Sequence, residues 1–230
     1  MKLLVSPINT EEAMSALNGG ADVIDIKNPK EGSLGANFPW VIRDVKEAID
    51  GKKPISAALG DFNLKPGTAA LAAYGAASAG ATYVKVGLYD VKTEEQAFEM
   101  MTGIAESVKG MDVKVVACGY SDYERIDSID PKLLPAIGEK AGVDLVMVDT
   151  GVKDGRSTFE FMSEDDLIEF VNDAHSRGLE TAIAGTIKFD DIPALKRIQP
   201  TIIGVRGIVC GGDRSTTIRQ ELVEKLKSEI

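Results

Sequence analysis

Asp22-Val-Ile-Asp-Ile-Lys27 is an apolar run with charge on one face, and its reading decides the fold. On a strand, alternate residues share a face, so Asp25 and Lys27 point one way while Ile24 and Ile26 point the other. Tyr83-Val-Lys-Val-Gly87 repeats the arrangement, with Lys85 in the middle of a second strand-like run. A lysine on a core strand costs on the order of several kcal/mol of desolvation unless it is paired or neutral. Two such positions point to chemistry, because a buried amine beside a carboxylate is suited to attack a carbonyl. The alternative is that each amine serves only as the ion-pair partner of a neighbouring carboxylate.

Working outward from these runs, the chain shows eight short apolar stretches, each followed by a helix-like segment. The predicted strands are Lys2 to Ser6, Asp22 to Lys27, Pro54 to Leu59, Thr82 to Leu88, Val113 to Gly119, Asp144 to Thr150, Glu180 to Gly185 and Ile202 to Cys210. The predicted helices are Glu11 to Leu17, Trp40 to Ile49, Thr68 to Ala79, Glu94 to Val108, Pro131 to Lys140, Asp165 to Arg177, Ile192 to Ile198 and Ser215 to Lys227. Thr10, Thr93 and Ser163 precede acidic first turns and read as N-caps, while Gly19-Gly20, Gly80, Gly110, Gly142 and Gly178 close helices before the next strand. Eight strand-helix units without a linker predict a single α/β domain over residues 1–230, a closed (β/α)8 or TIM barrel of parallel strands. An open doubly wound sheet usually carries a Gly-x-Gly-x-x-Gly turn after its first strand. Here that turn is Ser6-Pro-Ile-Asn9, with no glycine.

Composition narrows the partners. With 230 residues, 44 % of them hydrophobic, the chain can bury a full core. A formal charge of −10 works against nucleic acid or an anionic membrane as partner, so any anion site must be local. The opening Met-Lys-Leu-Leu-Val is cut short by Pro7 and followed by Glu11 and Glu12, which fits neither an export signal nor a membrane span. Cys118 and Cys210 are the two cysteines and stand in no metal-ligand spacing, as expected of a reducing cytoplasm and of small core residues. A homo-oligomer is compatible with the sequence, which leaves the number of copies open.

In a barrel of this kind catalytic groups come from the C-terminal ends of strands and the loops after them. Lys27, Lys85 and Asp149 lie at or near such ends, Asp25 shares the strand of Lys27, and Lys153 follows in Gly151-Val-Lys-Asp-Gly155. Asp25 reads equally as a structural partner of an amine or as a proton carrier. Barrels often keep a phosphate after strands 7 and 8. There the sequence places Gly185-Thr-Ile-Lys188 and Gly211-Gly-Asp-Arg-Ser215, so Gly185, Lys188, Gly211, Gly212, Arg214 and Ser215 are the candidate phosphate contacts, with the N-terminus of the last helix adding its dipole. A tight strand-to-helix turn is the plainer reading of Gly-Gly. The lone histidine, His175, lies near the end of a predicted helix and reads as a solvated last-turn residue. Metal held by histidine and histidine acid-base chemistry are therefore disfavoured, which leaves Lys, Asp, Glu or Tyr. A lysine of depressed pKa is the usual route to an imine.

On these residues the chain resembles the (5-formylfuran-3-yl)methyl phosphate synthases of methanofuran biosynthesis, found in methanogens and some methylotrophic bacteria. The resemblance is carried by Leu3-Leu-Val-Ser-Pro7, Asp25-Ile-Lys-Asn-Pro-Lys-Glu-Gly-Ser-Leu-Gly-Ala-Asn37, Tyr83-Val-Lys-Val-Gly-Leu88, Asp149-Thr-Gly-Val-Lys-Asp-Gly155 and Gly207 to Arg214, the second being the most specific. It implies a lyase on a class I aldolase-like barrel that joins two molecules of glyceraldehyde 3-phosphate with loss of a phosphate and water. It also implies that Lys27 forms the imine, that Lys85 accepts a proton, and that neither metal nor organic cofactor is required. Two rival readings remain: another lysine-dependent sugar-phosphate aldolase of the deoxyribose-phosphate type, and a phosphate-binding barrel without catalysis.

Overall fold

Each of the eight apolar runs contains a strand in the computed structural model, which describes residues 1–230. The strands are β1 (Lys2–Val5), β2 (Val23–Ile26), β3 (Ile55–Phe62), β4 (Tyr83–Leu88), β5 (Lys114–Tyr120), β6 (Leu145–Asp149), β7 (Glu180–Ile183) and β8 (Ile202–Val205). Between and after them run α1 (Thr10–Asn18), α2 (Pro39–Ile49), α3 (Pro66–Ala79), α4 (Glu94–Ser107), α5 (Leu134–Ala141), α6 (Glu164–Ser176), α7 (Ile192–Ile198) and α8 (Gln220–Glu229). Every ladder is parallel, and β8 pairs with β1 so that the sheet closes on itself in chain order. The result is a (β/α)8 barrel, as the strand-helix alternation predicts. No helix is long and apolar enough to cross a membrane.

Alternation along the strands divides the apolar residues between two cores. Val5, Ile24, Ile26, Ala57, Val84 and Val86 face outward into the larger cluster, where the helices cover them. Leu4, Val23, Ala58, Val116, Met147 and Ile202 face inward and fill the barrel, joined by Leu34 from the loop after β2. Helix α2 shows how sequence pattern becomes packing. Ile42, Val45 and Ile49 recur at three- and four-residue spacing and are all buried, each burial being worth about 1.5–3 kcal/mol. The Thr93 and Ser163 caps form as expected, Ser163 within a capping box completed by Asp166. At α1 the cap is Asn9, not Thr10: its side chain accepts from the Glu12 amide at 2.9 Å.

Among the boundaries that differ from the sequence reading, three have a clear local cause. β3 continues to Phe62 because a bulge at Leu59 and Gly60 absorbs an extra residue, so that Asp61 pairs with Gly87 of β4. β8 stops at Val205, and the apolar Gly207–Cys210 segment winds into a 3-10 turn. The last helix begins at Gln220 instead of Ser215. Asp213 captures the Ser215 amide at 2.9 Å and its hydroxyl at 2.6 Å in a turn, and Ile218 is buried before the helix starts.

The stop after β8 is enforced by Arg206, whose buried guanidinium has all five N–H groups engaged. Nε donates to the Arg214 carbonyl at 2.8 Å; Nη1 donates to the Ser6 carbonyl at 2.8 Å and Glu12 at 2.7 Å; Nη2 donates to Glu12 at 3.3 Å and the Thr216 carbonyl at 3.0 Å. One side chain thus ties β1, α1 and the loop after β8 together. Removing one partner of such a pair leaves a buried charge uncompensated. Glu12→Ala is expected to lower the unfolding free energy by about 3–5 kcal/mol in denaturant titrations. A loss within about 1 kcal/mol would mean that the pair contributes no more than a surface ion pair does.

Candidate active site

The charged residues of the strand ends converge inside the barrel mouth, where they sort into pairs. Asp25 of β2 is fully buried and receives Lys85 Nζ at 2.7 Å from β4, Ser56 Oγ at 2.7 Å from β3 and Ser6 Oγ at 2.8 Å. Asp149, at the end of β6, receives Lys153 Nζ at 2.5 Å and the Thr150 amide at 2.7 Å, and Lys153 also donates to Thr150 Oγ1 at 2.8 Å. The loop bearing Lys153 is held by the buried Asp122, which accepts the Gly151 and Val152 amides at 2.6 and 3.0 Å.

Lys27, one residue beyond β2, has no carboxylate of its own. The one hydrogen bond of its side chain is to the Ser33 carbonyl at 3.4 Å. Asp25 does share its face, as strand alternation requires, but that carboxylate bonds Lys85. The unpaired, loosely held amine of the mouth is therefore Lys27, while Lys85 is the ion-paired one.

Electrostatics follow from this geometry. Burial pulls the Lys27 pKa down; the Asp149 charge opposes it, and the Lys85 and Lys153 charges add to it, leaving the value at about 7. Burial would raise Asp149, but the charges of Lys153 and Lys27 and the bonds from Lys153 and Thr150 outweigh it, and its pKa lies at about 2. Asp25 is likewise held below the ordinary carboxylate value: burial is outweighed by Lys85, Lys27 and the Ser56 hydroxyl. Near neutral pH both carboxylates are ionised and Lys27 is poised to shed its proton.

Above these groups opens a cavity of about 290 Å³, bounded on one side by Lys27, Lys85, Asp149 and Lys153 and on the other by the loops after β7 and β8. Of the residues predicted as phosphate contacts, Gly185, Gly212 and Arg214 line it. The amides of Gly185, Thr186, Ile187, Asp213 and Arg214 have no hydrogen-bond partner within the protein. Successive free amides of this kind make an anion nest. Gly185 is required there: its φ is +97°, and a Cβ would overlap Thr158 Oγ1. The Arg214 guanidinium is half-buried, which lowers its pKa, and spends a single long bond of 3.5 Å on the Gly32 carbonyl, leaving most of its donors free.

The other three predicted phosphate contacts lie elsewhere. Lys188 is exposed, with its ammonium 3.7 Å from Glu160. Gly211 sits in the turn against Arg219, and the Ser215 hydroxyl is engaged by Asp213. The helix N-terminus expected to add its dipole is also displaced, since α8 starts five residues later. Sequence reasoning overlooked Thr186, Ile187 and Arg206, which do line the cavity. Arg206 carried a readable signal: like Lys27 and Lys85, it interrupts an apolar strand run. No three His, Cys, Asp or Glu side chains come close enough together to hold a metal ion.

Comparison with known proteins points in one direction. The family model described as 4-HFC-P synthase matches residues 3–227. A (5-formylfuran-3-yl)methyl phosphate synthase of Methanosarcina mazei is 70 % identical, covering 100 % of this chain and 99 % of the relative. One of Archaeoglobus fulgidus is 56 % identical over the same shares. Among solved structures, a 3-hexulose-6-phosphate synthase superposes with a TM-score of 0.68 at 20 % identity over 100 % of both chains, a likeness of fold. A match over nearly the whole length, with relatives at this identity, is decisive: the chain belongs to the 4-HFC-P synthase family.

Proposed function

We propose that this protein joins two molecules of glyceraldehyde 3-phosphate, through an imine on Lys27, to give (5-formylfuran-3-yl)methyl phosphate for methanofuran biosynthesis. Atom balance requires the release of one phosphate and two molecules of water. The observation that carries the reading is Lys27 itself, a buried amine without a carboxylate partner and with a pKa of about 7, facing a cavity that ends in an anion nest. The names of the relatives supply the product.

Neutral Lys27 attacks the aldehyde carbon, and loss of water leaves an iminium. The iminium is an electron sink, so the adjacent carbon becomes acidic and a base can take its proton. The enamine that results can expel a group from the next carbon or attack a second aldehyde. One device thus serves isomerisation, elimination and carbon-carbon bond formation. Lys85 faces the cavity and is the group placed to take the proton of the substrate carbon, with Asp25 orienting it through their hydrogen bond. Asp149 and Lys153 face the same space and serve the proton transfers of the dehydrations. Arg214 and the amides of Gly185 to Ile187 hold a phosphate remote from the reacting carbon. The two free, buried cysteines, Cys118 and Cys210, fit a protein at work in a reducing cytoplasm.

Borohydride added during turnover is expected to leave a reduced adduct on the peptide containing Lys27, and the product should absorb in the near ultraviolet. An aldolase of the deoxyribose-phosphate type would give the adduct without the furan, and a passive phosphate-binding barrel would give neither. In Lys27→Arg the charge stays but no imine forms, so trapping should vanish and turnover should fall by more than about 10³-fold. Activity within roughly tenfold of the unaltered protein would overturn the assignment.

The pH dependence has a definite sign. Lys27 is depressed from 10.5 to about 7, so its reactive neutral form is scarce below that pH and abundant above it. The initial rate of trapping should therefore climb with pH and level off above about 8. A rate still climbing tenfold per unit at about pH 9 would show an ordinary lysine. Arg214→Ala should raise KM by about tenfold or more with little change in kcat, because a phosphate handle contributes mainly uniform binding. An unchanged KM, with free phosphate failing to compete, would move the anion site elsewhere.

A further inference from the structure

The segment Asn28 to Asn37 is the most distinctive stretch of the sequence, and the chemistry above uses only its neighbour Lys27. In the fold it closes on itself and returns over the barrel mouth. The Asn28 amide donates to the Gly35 carbonyl at 2.8 Å, and Asn37 Nδ2 donates to the Ile8 and Lys27 carbonyls at 2.9 and 3.3 Å. At its tip Leu34 is fully buried among the apolar side chains of the barrel interior. Next to it, Ser33 presents its carbonyl to Lys27 and donates its hydroxyl to the Thr150 carbonyl at 2.8 Å. The Ser33-Leu34 peptide therefore lies directly against the Lys27 amine.

Asp61 holds that peptide in place. Both of its carboxylate oxygens accept the Leu34 amide, at 3.2 and 3.1 Å, and the fully buried Tyr120 hydroxyl donates to Oδ1. Burial, and then the charge of Asp61, raises the Tyr120 pKa well above its ordinary value, so the phenol stays protonated and remains a donor.

Three glycines make room for this carboxylate. The β3 bulge, at Gly60 with φ +131°, turns Asp61 inward where uninterrupted alternation would point it outward. A Cβ at Gly32 would overlap Asp61 Oδ2, and one at Gly87 would overlap the Tyr120 hydroxyl. Asp61 itself does not line the cavity.

We propose that Asp61 is a positioning residue: by anchoring the Leu34 amide it latches the Ser33-Leu34 peptide over Lys27 and keeps water from that amine. The groups facing Lys27 are Asp25 on its own strand, Lys85 from β4, Asp149 at the end of β6 and Lys153 from the following loop, with Arg214 across the cavity. Opening the latch leaves all of these charges in place and admits water. Burial is the foremost cause of the weak basicity of Lys27, so water makes the amine more basic. The importance of the latch for turnover rests on the reading of Lys27 as the imine-forming residue; the dryness of Lys27 does not.

The test is the pH dependence of acylation of Lys27 by trace acetic anhydride, mapped by mass in the unaltered protein, in Asp61→Asn and in Leu34→Ala. In Asp61→Asn the new side-chain amide would turn a donor toward either the Leu34 N–H or the Tyr120 O–H, and Leu34→Ala removes the buried tip. Both should move the labelling midpoint up by about one unit or more. Turnover at neutral pH should fall about tenfold and recover as the pH is raised. Variants that fold, by circular dichroism and thermal melting, yet keep the original midpoint would overturn the latch. If Asp61→Asn does not fold, Leu34→Ala decides alone by the same midpoint. A shifted midpoint in a protein that borohydride never traps would uphold the latch and overturn the imine.

Discussion

Three ammonium groups and two carboxylates share the floor of the barrel mouth, and that imbalance governs the site. An interior charge is tolerated when it is paired and fully hydrogen-bonded. Asp25 meets the condition with Lys85 and two serine hydroxyls, and Asp149 with Lys153 and a backbone amide. Lys27 is the remaining cation. Its relief is to lose the proton, and an amine that is neutral near pH 7 is one that can attack a carbonyl. The basicity of Lys27 is thus set first by burial and then by neighbours already engaged with one another, with no dedicated base beside it.

Around this floor, three of the loops are each fixed by a charged side chain. Asp122 holds the loop after β6 by its amides; Arg206 holds the loop after β8 by its carbonyls; Asp61 holds the loop after β2 at Leu34. In all three the charged group engages main-chain atoms, so the loops are held in shape whatever side chains they carry. Loops of this kind would otherwise be the least stable part of a barrel.

The barrel is legible in the sequence because each strand is a near-continuous apolar run and each helix begins or ends at a recognisable cap. The amines are legible for the same reason: Lys27 and Lys85 break apolar runs, and strand alternation alone places Asp25 on the face of Lys27. Pairing is not legible. Whether Asp25 bonds Lys27 or Lys85 depends on how β2 and β4 are disposed across the barrel, a matter of strand tilt and closure that no local pattern encodes. The cavity loops after β7 and β8 are half-legible. The glycines mark them, but Ser215 reads as the start of a helix that Asp213 delays, and Thr186 enters through backbone amides, which leave no trace in side-chain identity. Asp61 escapes because the apolar run ends at Leu59, before the bulge that turns the carboxylate inward.

Arg206 carries a consequence for the thermodynamics of ligand capture. A guanidinium with every N–H committed has no freedom to follow an incoming anion, and the loop from Gly207 to Thr216 inherits that rigidity. The conformational entropy of ordering this loop is lost once, during folding, and is not charged again at each encounter with substrate. Contact with an anion would then go undiminished into affinity. Heat-capacity and hydrogen-exchange changes on binding should be correspondingly small along this segment, as expected of a loop already fixed before binding.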